Sequence, residues 1–235
     1  MKSTILAIVL LVTMTVSGQT GENDSMVNSA LETYIETSIE GFDGISDKRK
    51  GELEQIAQYV ATRVAKDQST NLTFICTHNS RRSHLAQIWA QTAAVWYGVP
   101  HVETYSGGTE ATAFNPRAVR ALEDAGFAIE RTSDAENPRY RVMYSESSPP
   151  LVAFSKVYNE PPNPAENFCA VMTCSDADEA CPVVFGAAGR VAIPYEDPKE
   201  FDGTDQEAAA YAERCRQIST EMLYAFSRVN VTQEQ

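Results

Sequence analysis

Cys76 and Arg82 stand six positions apart, at the two ends of a short polar segment. An apolar run at residues 72–75 precedes the cysteine, and apolar residues with helical spacing follow the arginine. A sulfur between a strand and a helix N-terminus lies where unpaired backbone N–H groups and the helix dipole favour the thiolate. The same N–H groups and the guanidinium fork can bind a tetrahedral dianion. The pattern therefore predicts a cysteine nucleophile that attacks phosphate or arsenate.

The segment that joins these two residues is expected to wrap once around the anion. Ser83 can add a hydroxyl donor to the sulfur. A Cys-x5-Arg match is weak by itself, and its position between a strand and a helix strengthens it, as in other phosphate-binding loops. The alternative is a buried cysteine at a strand end beside two solvated arginines. The predicted oxyanion-binding residues are Thr77, His78, Asn79, Ser80, Arg81, Arg82 and Ser83.

Short apolar runs that alternate with helical segments predict the architecture around this loop. Strands are expected at residues 72–75, 102–105, 169–173 and 190–193. Such alternation is typical of right-handed crossovers and a mostly parallel sheet, with the active site at the carboxyl ends of the strands.

Capping residues mark the ends of the helices between these strands. Gly98 is expected to end the helix that follows the loop. Asn115 with Pro116 opens another helix. Thr204 with Glu207 has the spacing of a capping box, ahead of a long amphipathic helix.

The chain is expected to divide into three parts. Residues 1–18 have the outline of a cleaved export signal, which predicts an exported, periplasmic protein; a buried helix or an interfacial anchor in a cytoplasmic protein is the alternative. The apolar run there is too short for a stable membrane span. Residues 19–70 predict a linker and an N-terminal helical extension, with helices at 31–39 and 46–66. Residues 71–230 form the expected catalytic domain, with a proline-rich insertion at about 137–167.

Charge and cysteine content limit the partners. A formal charge of −13 argues against a nucleic-acid partner, because the phosphate backbone would repel such a field. Five cysteines cannot all pair within one chain, so at least one thiol must stay free. We expect neither a metal nor an organic cofactor.

The loop sequence FICTHNSRRS, residues 74–83, resembles the C-x5-R-S loop of low-molecular-weight protein tyrosine phosphatases, and in particular of thioredoxin-coupled arsenate reductases. The resemblance continues at SGGTEA (106–111), NPRAV (115–119), VMTCSDADEACP (171–182) and EDP (196–198). It implies an α/β fold of three layers, flavodoxin-like, with a parallel four-stranded sheet. It leaves the N-terminal helices unexplained.

The resemblance also assigns roles to three residues outside the loop. Cys174 and Cys181 correspond to a resolving pair, which would pass electrons from a thioredoxin-like or other dithiol reductant to Cys76. The alternative for this pair is a structural disulfide. The acidic stretch between them is expected to be exposed and flexible. Asp197 corresponds to the general acid, with Glu196 as its competitor.

Three departures from the family pattern bear on the substrate. Residues 199–201 are Lys-Glu-Phe where the phosphatases tend to have tyrosines, which weakens the tyrosine phosphatase interpretation. His78 stands where glycine is frequent, and Arg81 stands where many relatives have another cysteine. Cys169 and Cys215 are expected to be core residues.

Three functions remain open at this point. The leading one is reduction of arsenate to arsenite through Cys76, Cys174 and Cys181. The second is hydrolysis of phosphotyrosine or small phosphomonoesters through a phosphocysteine intermediate, which needs only Cys76, Arg82 and Asp197. The third is a weakly active oxyanion-binding or redox-sensing protein.

Overall fold

The computed structural model describes residue 27, residues 29–145 and residues 148–229. The predicted export signal at residues 1–18 lies outside these ranges. Within them, no helix is both long and apolar enough to cross a bilayer.

In the described part of the chain, seven strands form two sheets. The strands are β1 Thr70–Cys76, β2 Val102–Gly108, β3 Ala128–Arg131, β4 Tyr140–Met143, β5 Leu151–Ala153, β6 Phe168–Met172 and β7 Ala187–Ala192. Four of them make a parallel sheet in the order β2-β1-β6-β7. This order, with the second strand outside the first, confirms the flavodoxin-like α/β sheet. All four strands were predicted from their apolar runs.

Among the same described residues, six α-helices accompany the strands. They are α1 Ser29–Glu40, α2 Asp47–Val64, α3 Arg82–Trp96, α4 Pro116–Asp124, α5 Ser175–Ala180 and α6 Glu207–Ser227. Asn115 caps α4 by accepting the Arg117 N–H at 2.9 Å, as predicted. The predicted capping box of α6 is wrong, because the Glu207 carboxylate accepts the Gly203 N–H and Thr204 Oγ1 accepts the Gln206 N–H.

One face of the parallel sheet packs against α2 and α3, and α6 packs against these two helices. Phe74 and Val171 of the sheet and Trp89 of α3 belong to a single buried cluster. The N-terminal helices belong to the same cluster through Leu31 and Ile56, both fully buried. The expected N-terminal extension therefore consists of helices that complete the main core.

The other face of the sheet is covered by α5 and by coil. Ile75 and Met172 of the sheet pack there with Ala177 of α5 and with Val184. This second cluster is small, and it contains Cys76 and Cys174.

The proline-rich segment at 137–167 contains two strands that the sequence analysis did not identify. β3, β4 and β5 form an antiparallel sheet, and Tyr140, Val142 and Ala153 lie in the main core. The segment then returns to the parallel sheet, where Val157 makes a bridge to Gly108 at the end of β2. Its last part therefore lies directly behind the loop that follows β1.

Candidate active site

The loop from Cys76 to Ser83 joins the end of β1 to the start of α3. Cys76 is 3% exposed, and its Sγ lies 3.0 Å from Ser83 Oγ. The sulfur is therefore at the carboxyl edge of the sheet, where the sequence predicted the nucleophile.

Asn79 braces this loop from within. It is fully buried and adopts a left-handed backbone conformation with φ of 44°. Its Oδ1 accepts the Lys156 N–H at 2.9 Å, and its Nδ2 donates to Ser83 Oγ at 2.9 Å. Because the Ser83 oxygen accepts from Asn79, the Ser83 hydroxyl is free to donate to Cys76 Sγ. This ordered chain of donors favours a negative sulfur.

Two other loop side chains bind partners of their own. The His78 imidazole lies 2.9 Å from the Glu110 carboxylate at the surface, and the Ser80 hydroxyl donates to the Ala113 carbonyl at 2.7 Å. Their predicted contribution to anion binding therefore has to come from their backbone N–H groups. The chain also approaches this loop closely at Gly108, where an added Cβ would lie 2.7 Å from Asn79 N and Thr77 O. Only glycine fits there.

Asp197 binds both arginines of the loop. Its Oδ1 lies 2.7 Å from Arg81 Nε, and its Oδ2 lies 2.9 Å from Arg82 Nη2 and 3.1 Å from Arg81 Nη2. Burial by itself raises the pKa of this carboxyl, but the hydrogen bond from Arg81 and the charges of Arg82 and Arg81 outweigh it, and the net pKa is lowered. Asp197, the predicted general acid, therefore lies at the loop, and its carboxyl is ionised. Its predicted competitor Glu196 is exposed.

Cys174 lies at the carboxyl end of β6, the strand beside β1. It is fully buried, with its Sγ 3.5 Å from Thr77 Oγ1. Cys181 is half-buried, and neither cysteine is paired. The stretch between them was predicted to be exposed and flexible. Ser175, Asp176, Glu179 and Ala180 are exposed as predicted, but the stretch forms helix α5, with Cys174 Sγ accepting the Ala177 N–H at its start.

Sequence comparisons relate the chain to known proteins. The sequence model of the low molecular weight phosphotyrosine protein phosphatase family matches residues 71–141. An arsenate reductase of Bacillus licheniformis is 30% identical over 66% of this chain and 92% of its own length. An arsenate reductase of Bacillus subtilis is 31% identical over 61% of this chain and 84% of its own length. The chain belongs to the low molecular weight phosphotyrosine protein phosphatase family.

A solved low molecular weight protein tyrosine phosphatase from T. tengcongensis has a TM-score of 0.45 and 16% identity, over 66% of this chain and 97% of that one. Membership of the family makes the chain a cysteine-based enzyme, of the phosphatase or the arsenate reductase kind.

Lys156 is a buried residue of this phosphatase-family site that the sequence analysis missed. Its side chain is enclosed beside the loop, with Nζ donating to the Phe154 carbonyl at 3.3 Å and lying 4.6 Å from the Phe154 ring centre. Burial, with a smaller effect of the Arg139 charge, lowers the pKa of Lys156 to about 8. The proline-rich segment gave no local pattern that pointed to it.

Ser106 and the two remaining cysteines complete the surroundings of the site. The Ser106 hydroxyl oxygen lies 3.1 Å from His84 Nδ1 in α3, and the His84 imidazole is neutral because burial lowers its pKa well below the ordinary value. Cys169 and Cys215 are fully buried, as predicted, and burial raises their pKa values to about 12 and about 11. They are core residues of the phosphatase-family fold.

Proposed function

We propose that the enzyme reduces arsenate to arsenite through a relay of Cys76, Cys174 and Cys181. The observation that carries the proposal is the position of Cys174, at the strand end next to that of Cys76 and 3.5 Å from the side chain of Thr77. A phosphatase of this family needs one cysteine at the loop. Here a second buried thiol lies beside it and a third ends the adjoining helix.

The proposed reaction starts at the Cys76 sulfur. The thiolate attacks arsenic and displaces an oxygen of arsenate, which leaves as water after protonation, so that an S–As bond replaces an As–O bond. The Cys174 thiolate then attacks the Cys76 sulfur. The electron pair of the S–As bond goes to arsenic, which leaves as arsenite, and a Cys76–Cys174 disulfide forms.

The relay closes when the Cys181 thiolate attacks Cys174 and releases the Cys76 thiolate. The product is a Cys174–Cys181 disulfide, which an external dithiol reduces while its own two sulfurs become a disulfide. A thioredoxin-like protein or another dithiol protein fits this requirement. The prediction of export implies a donor in the same compartment.

This relay requires helix α5 to unwind. The two cysteines are seven positions apart, which at about 1.5 Å per residue corresponds to roughly 10 Å along a helix, beyond the Cα separation of about 7 Å that a disulfide tolerates. A six-residue helix has few hydrogen bonds to lose. The same argument disfavours a permanent structural disulfide in the conformation described here.

Asp197 is the proposed proton donor for the leaving oxygen. In the free enzyme it is ionised and bound to Arg81 and Arg82. An incoming oxyanion competes for these guanidinium groups, and a carboxyl separated from them and placed next to an anion has a higher pKa. Anion binding thereby prepares the acid that the first step needs.

A second candidate function is phosphomonoester hydrolysis. Cys76, Ser83, Arg82 and Asp197 lie together without any contribution from Cys174. This set is sufficient for a phosphocysteine intermediate and for protonation of its leaving group. We expect aryl phosphates to be hydrolysed as a side activity.

A map of cysteine pairing by mass spectrometry tests the proposed function. The fully reduced enzyme is treated with arsenate in the absence of a reductant and then alkylated and digested. We expect a Cys174–Cys181 disulfide in arsenate-treated samples and free thiols in phosphate-treated controls. Equal pairing in both samples, or no pairing with arsenate, contradicts the relay.

A further inference from the structure

Arg49, in the first turn of α2, joins the N-terminal helices to the segment that carries Asp197. The family match begins at residue 71, so α2 lies outside it. The Arg49 side chain is only 14% exposed. It reaches across to α6 and to the coil between β7 and the Asp197 turn.

The Arg49 guanidinium is held in one orientation by two carboxylates. Its Nε and Nη2 both contact Glu221 Oε2 of α6, at 2.9 and 2.8 Å, and its Nη1 lies 2.9 Å from Glu52 Oε2. The Glu221 side chain is 5% exposed and also accepts from Gln217. A buried fork of this kind fixes the plane of the guanidinium more firmly than a single contact does.

The fixed guanidinium then contacts the segment before Asp197 in two ways. Its Nη2 donates to the Pro194 carbonyl at 3.3 Å, and its face lies 4.8 Å from the centre of the Tyr195 ring. Residues 193–197 lie after β7 and before a short 3₁₀ helix at Pro198–Phe201. The Ile193 and Tyr195 N–H groups also donate to the Met172 and Thr173 carbonyls at the end of β6, at 2.9 and 3.1 Å. The Arg49 contacts add side-chain support to the coil between these bonds and Asp197.

Tyr195 connects this coil to the active-site loop through a hydrogen bond from Arg82. Its carbonyl accepts from Arg82 Nη1 at 2.9 Å, while Asp197, two residues later, accepts from Arg82 Nη2 at 2.9 Å. The Arg82 guanidinium therefore binds both groups at once and fixes the distance between the Tyr195 carbonyl and the Asp197 carboxylate. A shift of the coil would break both contacts together.

We propose that Arg49 is a positioning residue for Asp197. Through Pro194 and Tyr195 it holds the coil at the distance that brings the Asp197 carboxyl to the loop arginines. The inference rests on the proposed role of Asp197 as general acid, and it gives the N-terminal helices a part in the reaction. The support that Arg49 gives to the Asp197 coil comes from α2, which lies N-terminal to the residues that the family model matches.

The test compares the double variant Arg49→Met/Glu221→Gln with Glu221→Gln. The double variant removes the guanidinium without leaving a buried carboxylate that has lost its cation, which protects folding. Lys48→Met is the control for loss of a positive charge in the same turn, since Lys48 is 90% exposed. All variants are made in the full chain, and their urea unfolding midpoints are recorded.

The first readout is hydrolysis of phenyl phosphate and of 4-nitrophenyl phosphate. Phenolate is a poor leaving group that needs a proton, and 4-nitrophenolate leaves without one. Both esters form the same phosphocysteine, so the step in which the leaving group departs is compared through kcat/KM. We expect the double variant to lose about tenfold or more in kcat/KM for phenyl phosphate and less than about threefold for 4-nitrophenyl phosphate. An equal loss on both substrates, or no loss, overturns the proposal.

The second readout is the titration of the Asp197 carboxyl carbon by NMR, which needs no turnover. We expect the pKa of Asp197 to rise towards the ordinary aspartate value of about 3.9 in the double variant and to stay low in both controls. An unchanged titration overturns the proposal even if neither phosphate ester is hydrolysed. Neither readout involves Cys174 or Cys181, so failure of the thiol relay leaves this test intact.

Discussion

Asp197 Oδ2 lies 2.9 Å from Arg82 Nη2, so that the expected proton donor is bound to the expected anion-binding group. Arg81 contacts both oxygens of the same carboxylate, at 2.7 and 3.1 Å. In the free site, the Asp197 carboxylate therefore cancels part of the positive charge of the two arginines. In the proposed reaction, a substrate dianion displaces this carboxylate from its guanidinium partners, and this displacement couples substrate binding to protonation of Asp197.

The pairing of Asp197 predicts a stability difference that depends on pH. The pKa of Asp197 is lower in the folded protein than in the unfolded chain, because hydrogen bonds and charges from two arginines outweigh burial. Its ionised form therefore stabilises the fold fully above the unfolded value of about 3.9, and this stabilisation is lost as the pH falls through the lower folded value.

We expect Asp197→Asn to lower the free energy of unfolding by about 2 kcal/mol at pH 7. The difference from the original protein should shrink below about pH 4. Urea unfolding at pH 7, 5, 4 and 3 measures it. Glu196→Gln, at the exposed neighbouring position, should show no such trend, and a constant deficit of Asp197→Asn at every pH would contradict the ion pair.

The hydroxyl of Ser83 predicts the reactivity of Cys76. Ser83 Oγ lies 3.0 Å from Cys76 Sγ and accepts from Asn79, so its proton is directed to the sulfur. We expect Ser83→Ala to slow alkylation of Cys76 by iodoacetamide at pH 7 by about tenfold, the equivalent of one hydrogen bond to a charged group. Ser80→Ala is the matched control, because Ser80 donates to the Ala113 carbonyl and should react at the original rate.

Local sequence patterns were sufficient to predict the parallel sheet and the loop. They failed where contacts between residues distant in sequence determine the structure. The strand before Cys76 and the cap at Asn115 depend on neighbours in sequence, and both are as predicted. The pairing of Asp197 with Arg81 joins residues 116 positions apart, which no local pattern encodes. Fold-family resemblance placed Asp197 near the loop and gave no indication of its partners.

Helix α5 was not predicted for a different reason. Its acidic residues suggested an exposed, flexible stretch rather than a packed helix. In fact Asp176 and Asp178 lie in the first turn of the helix, where negative charge is favourable, and the cysteine before them caps it. The missed strands β4 and β5 are short, and the prolines just before them, Pro138 and the pair Pro149 and Pro150, hid their alternation.

Cys174→Ser separates the two candidate activities. Hydrolysis of 4-nitrophenyl phosphate needs Cys76 and Arg82, whereas release of arsenite needs a second thiol to attack the Cys76 adduct. We expect the variant to produce no arsenite with excess reductant and to hydrolyse 4-nitrophenyl phosphate at the original rate. Retention of both activities would remove the relay, and Cys76→Ser should abolish both.

Substitution of Cys215 is expected to change stability and not activity. Its Sγ accepts the Trp89 indole N–H at 3.3 Å inside the main core, and it is fully buried. We expect Cys215→Ala to lower the free energy of unfolding by about 1–3 kcal/mol, because the indole loses its acceptor, and to leave kcat unchanged. Urea unfolding and arsenate turnover at 25 °C measure the two quantities, and a variant with lower kcat would place Cys215 in the reaction.

Arg190 holds the C-terminal end of α5 against the sheet. Its Nη2 contacts the Asp178 carboxylate and carbonyl and the Cys181 carbonyl. Because a Cys174–Cys181 disulfide requires α5 to unwind, these contacts oppose its formation. Their combined loss is worth about 1–2 kcal/mol, which corresponds to roughly a 5- to 30-fold change in the population of the unwound helix.

We therefore expect Arg190→Met to form the Cys174–Cys181 disulfide roughly 5- to 30-fold faster than the original protein when both are treated with the same disulfide reagent. Quenched alkylation followed by mass spectrometry gives the rates. Arg141→Met removes an arginine that pairs with Glu130 in the antiparallel sheet, and its rate should not change. If both variants form the disulfide at the original rate, α5 opens by a motion that does not involve its contact with β7. The Arg190 contacts with Asp178 and Cys181 then have no part in the relay.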